Sequence, residues 1–443
     1  MNGFSANQTL MKARSYEKKG NPNEACDLYS KVLNNFPKNT RAVFGLTRTH
    51  ELLVSKHIEM LRQMLAEGQI GSVLIKAQIL TKKYTHSFSL WNLLGASFYN
   101  NDQLIESIAS CQQALRIKPD FPPAFNNLAN ALLNIGDLDS AITHYKKALK
   151  IKPNDSSALA NLGFALTQKK DFENAIIYLE KAIKIDPKKA ENFKKMALAQ
   201  LSKGDLKEAI KNFKMILKID PNDMTAQHLL AAATGVNTSS APKKYVEGLF
   251  DHFAGSFEST LIQNLQYTVP ETIAKLAITH SSSDSLGSIL DLGCGTGLVG
   301  LHLKQSYKWL EGIDLSQKML KKAQSKNIYD NLTHVDILEY LKTADLNFDY
   351  YFAADVFIYI GNLSDVFYLI KQRNKSPGKL LFSTEHSGKD GFFLQKSGRY
   401  SHSEKYIKTL CDEFDYQLNF FSKVNLRKEG NEFISGGIYL LEF

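Results

Sequence analysis

Apolar positions in the first half of the chain return every 34 residues: Trp91, Phe125, Leu159 and Phe193 share one register, and Leu94, Leu128, Leu162 and Met196 another. Small residues recur beside them at Gly95, Ala129, Gly163 and Ala197, and again at Ser107, Ala141, Ala175 and Ala209. A proline closes each unit, at Pro119, Pro153, Pro187 and Pro221. Spacings of three and four within each half-unit predict amphipathic helices. The small residues let two antiparallel helices approach closely, and the proline cannot continue the second of them. The register extends back over 54–87, where Thr85 replaces the proline, and over 6–39, leaving 40–53 as an unpaired helix. The predicted units are therefore 6–39, 54–87, 88–121, 122–155, 156–189 and 190–223, with a capping helix at 224–234 and an array spanning 1–234.

Beyond residue 234 the pattern changes. The small, polar run Thr234-Gly235-Val236-Asn237-Thr238-Ser239-Ser240-Ala241-Pro242 predicts a linker over 235–244. Helical spacing resumes at Tyr245 with Phe250, Phe253, Phe257 and Leu261, and a second region then runs over 245–443. Short apolar runs at 288–292, 309–313, 332–335, 348–355 and 379–385 read as strands, with helical segments such as 298–305 between them. Two further runs, 416–424 and 437–443, flank a turn near Lys428-Glu429-Gly430-Asn431 and predict an antiparallel hairpin. Strands alternating with helices predict an α/β sheet.

The 34-residue unit resembles the tetratricopeptide repeat, which implies an all-helical solenoid whose first helices line a concave face. That face would present Asn92, Asn126, Asn127, Asn130 and Asn161. An asparagine amide both donates and accepts, so such a row suits an extended protein or peptide partner. The segment Phe125-Asn126-Asn127-Leu128-Ala129-Asn130 resembles the asparagine-lined repeats of the O-linked N-acetylglucosamine transferase.

Composition narrows the class. Of 443 residues 44% are hydrophobic and 22% charged, as in globular proteins. The absence of any signal-like or spanning apolar run predicts a cytoplasmic chain with no membrane span. Four scattered cysteines (Cys26, Cys111, Cys294, Cys411) predict neither disulfides nor a metal site. Residues 1–240 carry 32 Lys and Arg against 21 Asp and Glu, so the net charge of +9 resides entirely in the repeats. We read that excess as solvated helix faces rather than a nucleic-acid surface.

The chemistry concentrates after the first strand, at Asp291-Leu292-Gly293-Cys294-Gly295-Thr296-Gly297. A strand leading through a glycine turn into a helix brings backbone amides close to a ligand. Gly295-Thr296-Gly297-Leu298-Val299-Gly300 also satisfies G-x-G-x-x-G, with Asp314 nineteen residues after Gly295, so an NAD-dependent oxidoreductase is one alternative. The strand-end acid Asp291, the additional Gly293, a further acid at Asp336 and the terminal hairpin argue against it. Together they resemble the class I S-adenosylmethionine-dependent methyltransferases, which implies a Rossmann-like seven-stranded domain after the solenoid, an α + α/β chain. The whole layout resembles bacterial fusions of tetratricopeptide repeats to such a domain.

On that resemblance S-adenosylmethionine is the cofactor and no metal is required. Gly293, Cys294, Gly295 and Gly297 form the loop, Asp291 meets the amino end, and Asp314 chelates the ribose. Asp336 with Ile337 reaches the adenine, Leu315 and Met319 cover its face, and Asp355 lies beside the methyl. Phe250-Asp251-His252-Phe253-Ala254-Gly255-Ser256-Phe257 resembles the leading helix of small-molecule methyltransferases, which places Phe257 over the cofactor and leaves Phe250 and Phe253 in the core. The segment Ser397-Gly398-Arg399-Tyr400-Ser401-His402-Ser403 resembles one found in the repeat fusions. Arg399 and Tyr400 are candidates to clamp an acceptor, with His402 and Tyr359 as candidate catalytic groups. The expected reaction is in-line methyl transfer to oxygen or nitrogen on a small molecule, a carrier-bound metabolite or a protein. A scaffold with a non-catalytic methyltransferase-like domain is the other alternative.

Overall fold

The computed structural model describes residues 5–443 apart from 256, 259–264, 282, 284, 305 and 431. Leu261 and Ser256 of the predicted leading helix thus lie outside the described residues, as do Gln305 and Asn431. The chain divides into two compact units, Met1–Lys203 and Gly204–Phe443.

The first unit is all helical, from Ala6–Lys18 to Ala190–Lys203. The helix pairs follow the 34-residue register: Phe88–Asn100 with Leu104–Ile117, Pro122–Asn134 with Leu138–Ile151, and Ser156–Gln168 with Phe172–Ile185. Aspartates at the turns cap these helices, as where Asp155 accepts from the Ala158 amide at 3.1 Å. The small residues sit at helix crossings. A methyl group built on Gly95 would lie 2.5 Å from Cys111 Sγ, and one on Gly163 2.5 Å from Leu179 Cγ. One expectation fails: residues 40–53 are not a separate helix. Thr40–Ala66 is one helix of 27 residues whose buried stripe runs unbroken through Ala42, Leu46, Val54, Ile58 and Leu61. No proline or turn-forming pair interrupts the chain there, and the break comes only at Gly68, with φ +78°.

The second unit opens with Leu206–Ile219 and the predicted capping helix Met224–Thr234. The array and the unit boundary therefore do not coincide, contrary to the expected division at 234–245. The expected linker is built into this unit. Asn237 pairs with the main chain of a short strand, donating to Phe392 O and accepting from Leu394 N, both at 2.8 Å. Ser239 O accepts from the Gly361 and Asn362 amides, and the Ala241 amide donates to Tyr359 O at 2.9 Å. In the capping helix, His228 Nε2 bonds Gly398 O at 2.9 Å. The helix Lys243–Phe253 follows directly.

Its sheet contains β1 (Ser288–Leu292), β2 (Trp309–Asp314), β3 (Asn331–His334), β4 (Tyr350–Ala353), β5 (Lys379–His386), β6 (Phe392–Leu394), β7 (Tyr400–His402), β8 (Gln417–Glu429) and β9 (Glu432–Glu442). The order β3-β2-β1-β4-β5 is parallel, β9 runs antiparallel beside β5, and β8 pairs with β9. Those seven strands match the expectation, including the terminal hairpin. The described sheet nevertheless has nine. β4 ends with Ala353 opposite Phe382, and beyond it β5 pairs with β7 at Glu385 and His386. β7 in turn pairs with β6, so Tyr400 and His402, offered together with Arg399 as acceptor candidates, are in one strand of a short hairpin and Arg399 immediately precedes it. Three-residue strands are too short to leave an alternating signal in sequence. Side chains alternate along the parallel strands into two cores, Leu290 and Phe382 on one face and Ile289 and Leu381 on the other. Both faces are covered, which explains the near-continuous apolar runs.

Candidate functional site

Glycine loop, β2, β4 and the helix Lys243–Phe253 enclose a cavity of about 270 Å³ at the C-terminal ends of the parallel strands. In open α/β sheets that end, at the point where strand order reverses, is where ligands bind. Here the reversal falls between β1 and β4.

The loop is pinned from below and from the side. Gly293, Gly295 and Gly297 adopt φ of +67°, +55° and +86°, which side chains other than glycine rarely tolerate. The Cys294 amide donates to Ile313 O and the Gly297 amide to Cys294 O, both at 2.9 Å. Asp314, at the end of β2, accepts from the Gly295 amide at 2.9 Å and the Ser316 amide at 2.7 Å. Burial raises its carboxyl to about 6, with the two amides and His334 opposing and Asp251 assisting. Asp291 is buried at the end of β1. Its Oδ2 accepts from the Tyr329 hydroxyl at 2.6 Å, and its Oδ1 has no partner. Burial raises Asp291 to about 7, opposed by the Tyr329 hydroxyl and reinforced by the Asp314 charge.

Further along the wall, Asp336 caps the helix Ile337–Thr343 through the Glu339 amide and forms an ion pair with Lys243 at 3.2 Å. Leu315, Ile337 and Asp336 line the cavity together with Gly293, Gly295 and Asp314. Of the remaining expected cofactor residues, Phe257 and Asp355 also line it. Asp291, Cys294, Gly297 and Met319 do not, and Asp291 is buried behind the lining residues at 1% exposure. The Cys294 thiol packs behind the loop against Gly312, Gly297 packs on the Tyr329 ring, and Met319 is buried with its amide on Ser316 Oγ. Phe250, expected in the core, is a wall residue, edge-on to both Phe257 and Tyr359. Phe253, also expected there, is exposed.

The far end of the cavity is ionic. Arg427 of β8 bridges Asp355 and Glu385, and Arg399 binds the same Glu385 at 2.7 Å and Glu429 at 2.8 Å. Asp355 holds φ +55°, a strained conformation for a non-glycine residue, fixed by a reciprocal pair of bonds with Ser383. Tyr359 and Tyr267 line this end, each with its phenol pushed upward chiefly by burial, so both are proton donors rather than bases.

Two acceptor candidates are displaced by the fold. His402 is fully buried in β7 and does not line the cavity. Its Nε2 bonds the Ile360 and Gly361 carbonyls at 3.0 and 2.9 Å, and burial drives its pKa down to about 4. It is a neutral structural donor, not a base. Tyr400 is buried against Ala232, Ala241 and Leu394, with its hydroxyl on Thr238, so it clamps the former linker instead of an acceptor. Sequence reasoning missed Lys243, Tyr267, Glu385 and Arg427. They come from four distant segments, and nothing local marks them.

In the first unit the asparagine row is interlocked. Asn127 donates to Asn92 at 2.9 Å, and Asn161 donates to Asn130 at 3.1 Å and to Asn126 at 3.4 Å. Lys195 donates to Asn161 at 2.6 Å and Tyr145 to Asn130 at 2.6 Å. The amides thus bind one another from repeat to repeat. Among the described residues no His, Cys, Asp and Glu group could hold a metal ion, and no helix is long and apolar enough to cross a membrane.

Comparison with known proteins accords with this layout. Residues 289–375 match a family model described as a methyltransferase domain. Residues 122–155, 156–189, 10–39 and 195–223 match models of the tetratricopeptide repeat. Among curated proteins, the chain is similar to malonyl-acyl-carrier-protein O-methyltransferase 2 of Ilyobacter polytropus, 28% identical over 159 residues, or 35% of this chain and 57% of that one. It is also similar to the corresponding O-methyltransferase of Bacillus cereus, 28% identical over 167 residues, 37% of this chain and 60% of that one. The chain thus spans little more than half the length of these relatives. Solved structures with similarity include MamA, with TM-score 0.33 and 19% identity, covering 40% of this chain and 92% of that one. Another is the magnesium protoporphyrin IX methyltransferase of Synechocystis with bound S-adenosylmethionine, with TM-score 0.31 and 17% identity, covering 39% and 77%. The chain joins N-terminal tetratricopeptide repeats to a C-terminal methyltransferase domain.

Proposed function

We propose that this protein is a class I, S-adenosylmethionine-dependent methyltransferase acting on an acidic oxygen acceptor, free or carrier-bound, with its repeats engaging a protein or peptide partner. The observation that carries the cofactor assignment is Asp291: a buried carboxylate under the glycine loop with one oxygen, Oδ1, left without a partner. A buried acceptor of that kind is costly unless a ligand donor completes it. The α-amino group of the cofactor is such a donor, and Gly295, where a Cβ would meet nothing within 4 Å, leaves room for its carboxylate end. Asp314 would take the ribose hydroxyls and Asp336 the adenine amino group, displacing Lys243. Phe257 and Phe250 would close the apolar side.

When bound, the cofactor supplies a sulfonium-activated methyl for in-line displacement. The chain's own residues then have to align the acceptor and exclude water, an effect reaching about 7–11 kcal/mol in favourable systems. Arg427 stays committed to Asp355 and Glu385, so an anionic acceptor at the ionic end would be met by Arg399, which would exchange Glu429, half exposed at the end of β8, for it. A carboxylate acceptor needs no proton removed. This agrees with an ionic end bearing two phenols held protonated and a histidine placed elsewhere. The names of the curated relatives, which methylate the malonyl group of a carrier protein, point the same way.

Calorimetric titration of S-adenosylmethionine into the full chain and its Asp314→Ala variant tests the cofactor. Micromolar affinity lost in the variant is expected, and failure of the unmutated chain to bind would refute the assignment. Methyl-labelled cofactor incubated with small dicarboxylic acids and acyl-carrier conjugates then tests the acceptor. Base-labile ester label is expected, and label stable to base would refute a carboxylate acceptor.

A further inference from the structure

The partner of Asp291 comes from outside the glycine loop. Tyr329 lies between the helix Gln317–Ser325 and β3, and its hydroxyl donates to Asp291 Oδ2 at 2.6 Å. Three glycines make space for its ring. Methyl groups built on Gly297, Gly300 and Gly312 would lie 2.9, 3.1 and 2.8 Å from ring atoms of Tyr329. The flanking residues are fastened as well. Ile328 O accepts from the Tyr307 hydroxyl at 2.6 Å, while Asp330 exchanges bonds with the Leu310 main chain at 2.7 and 2.8 Å. The phenol therefore has little freedom, and neither does the carboxylate it holds.

We propose that Tyr329 is the positioning residue of the cofactor site, fixing Asp291 so that its unpartnered Oδ1 meets the cofactor's amino group as a charged carboxylate. The proposal rests on the S-adenosylmethionine reading of the cavity. The groups that face Asp291 are Tyr329, the Asp314 carboxylate, the Cys294 thiol and the Tyr267 phenol. None of them is a cation. Burial and the Asp314 charge both favour the protonated acid, and the Tyr329 hydroxyl is the contact that opposes them. Without it Asp291 takes up a proton at higher pH and becomes a poor acceptor for an ammonium group. The glycines at 297, 300 and 312 acquire a second purpose on this view. Gly297 is needed for its positive φ, whereas at Gly300 and Gly312 a side chain would meet the ring together with Leu310 and Ile328, or with Cys294 and Leu332.

The test is the pH dependence of binding, because a purely structural role would weaken binding by one factor at all pH values. S-adenosylhomocysteine is titrated calorimetrically into the full chain and its Tyr329→Phe variant between pH 5.5 and 8, with thermal melting to confirm that the variant is folded. Affinity of the unmutated chain should climb to near pH 7 and level off. In the variant the climb should continue past pH 7.5, so the deficit is largest in acid and narrows in base, approaching tenfold below pH 6.5 for each unit the titration moves. The ligand's own amine titrates identically in both proteins and cancels from the ratio. Asp291→Asn, placed in both backgrounds, should abolish the difference between them. A Tyr329→Phe deficit equal at all pH values, or no deficit, would overturn the proposal. Absence of binding by the unmutated chain at every pH would instead overturn the cofactor reading beneath it.

Discussion

Arg427 is the residue at the ionic end of the cavity whose loss should be felt most. Replacing it with methionine keeps most of the apolar stem and removes the charge from between Asp355 and Glu385. Breaking a buried pair by deleting one partner costs about 3–5 kcal/mol, because a charge is left without compensation. Glu385 keeps Arg399 at 2.7 Å, whereas Asp355 keeps the Ser383 hydroxyl at 2.7 Å. The uncompensated charge therefore falls mainly on Asp355, and the loss should sit near the lower limit, about 3 kcal/mol. Urea unfolding reads it. The chain has two tryptophans, Trp91 in the repeats and Trp309 on β2, so in a Trp91→Phe background the emission of Trp309 follows the second unit alone. Adding Asp355→Asn to Arg427→Met removes the stranded charge and should restore most of the stability. A loss under about 1 kcal/mol for Arg427→Met, the range of exposed pairs, would refute the reasoning. So would a double variant as unstable as the single one.

Other outcomes follow from the same geometry. His402→Asn removes the donor to the Ile360 and Gly361 carbonyls and should cost roughly 1–3 kcal/mol in thermal or urea unfolding, with cofactor affinity unchanged; a loss of affinity without loss of stability would return His402 to the site. His402 and His50 are both held near 4 by burial, below the ordinary 6.5, so the unfolded chain takes up their protons first. Stability from these two groups is complete above pH 6.5 and drains away as pH falls toward 4, and His402→Asn should flatten that slope in melts taken from pH 4 to 7. Gly163→Ala gains up to about 1 kcal/mol of helix propensity but meets Leu179 at 2.5 Å, so overpacking of about 1–3 kcal/mol should leave a net loss of stability by circular dichroism.

Much of this protein is legible from period and spacing. A 34-residue recurrence with small residues at the crossings specifies paired helices before any coordinate is known, because Gly95 and Gly163 permit contacts a larger residue would block. The parallel strands are equally plain, since strands buried on both faces must be apolar throughout. The glycine loop and its flanking acids, Asp291, Asp314 and Asp336, are read from local order alone, for a tight turn and a strand end are local events. Boundaries were less secure: Thr40–Ala66 runs straight through a predicted division because helices end at turn chemistry, and none is present there.

What only the tertiary structure decided is which side chains share a space. Short strands such as β7 carry no periodic signal, so sequence alone groups Arg399, Tyr400 and His402 as acceptor candidates. Pairing with β5 and β6 sends its neighbours to opposite faces, putting Arg399 in the cavity and burying Tyr400 and His402. The same applies to Arg427, Tyr267, Lys243 and Tyr329, each brought to its partner across a long stretch of chain. Local sequence determines backbone conformation through sterics and hydrophobic period. The meeting of distant residues depends on register and packing, which no short segment contains.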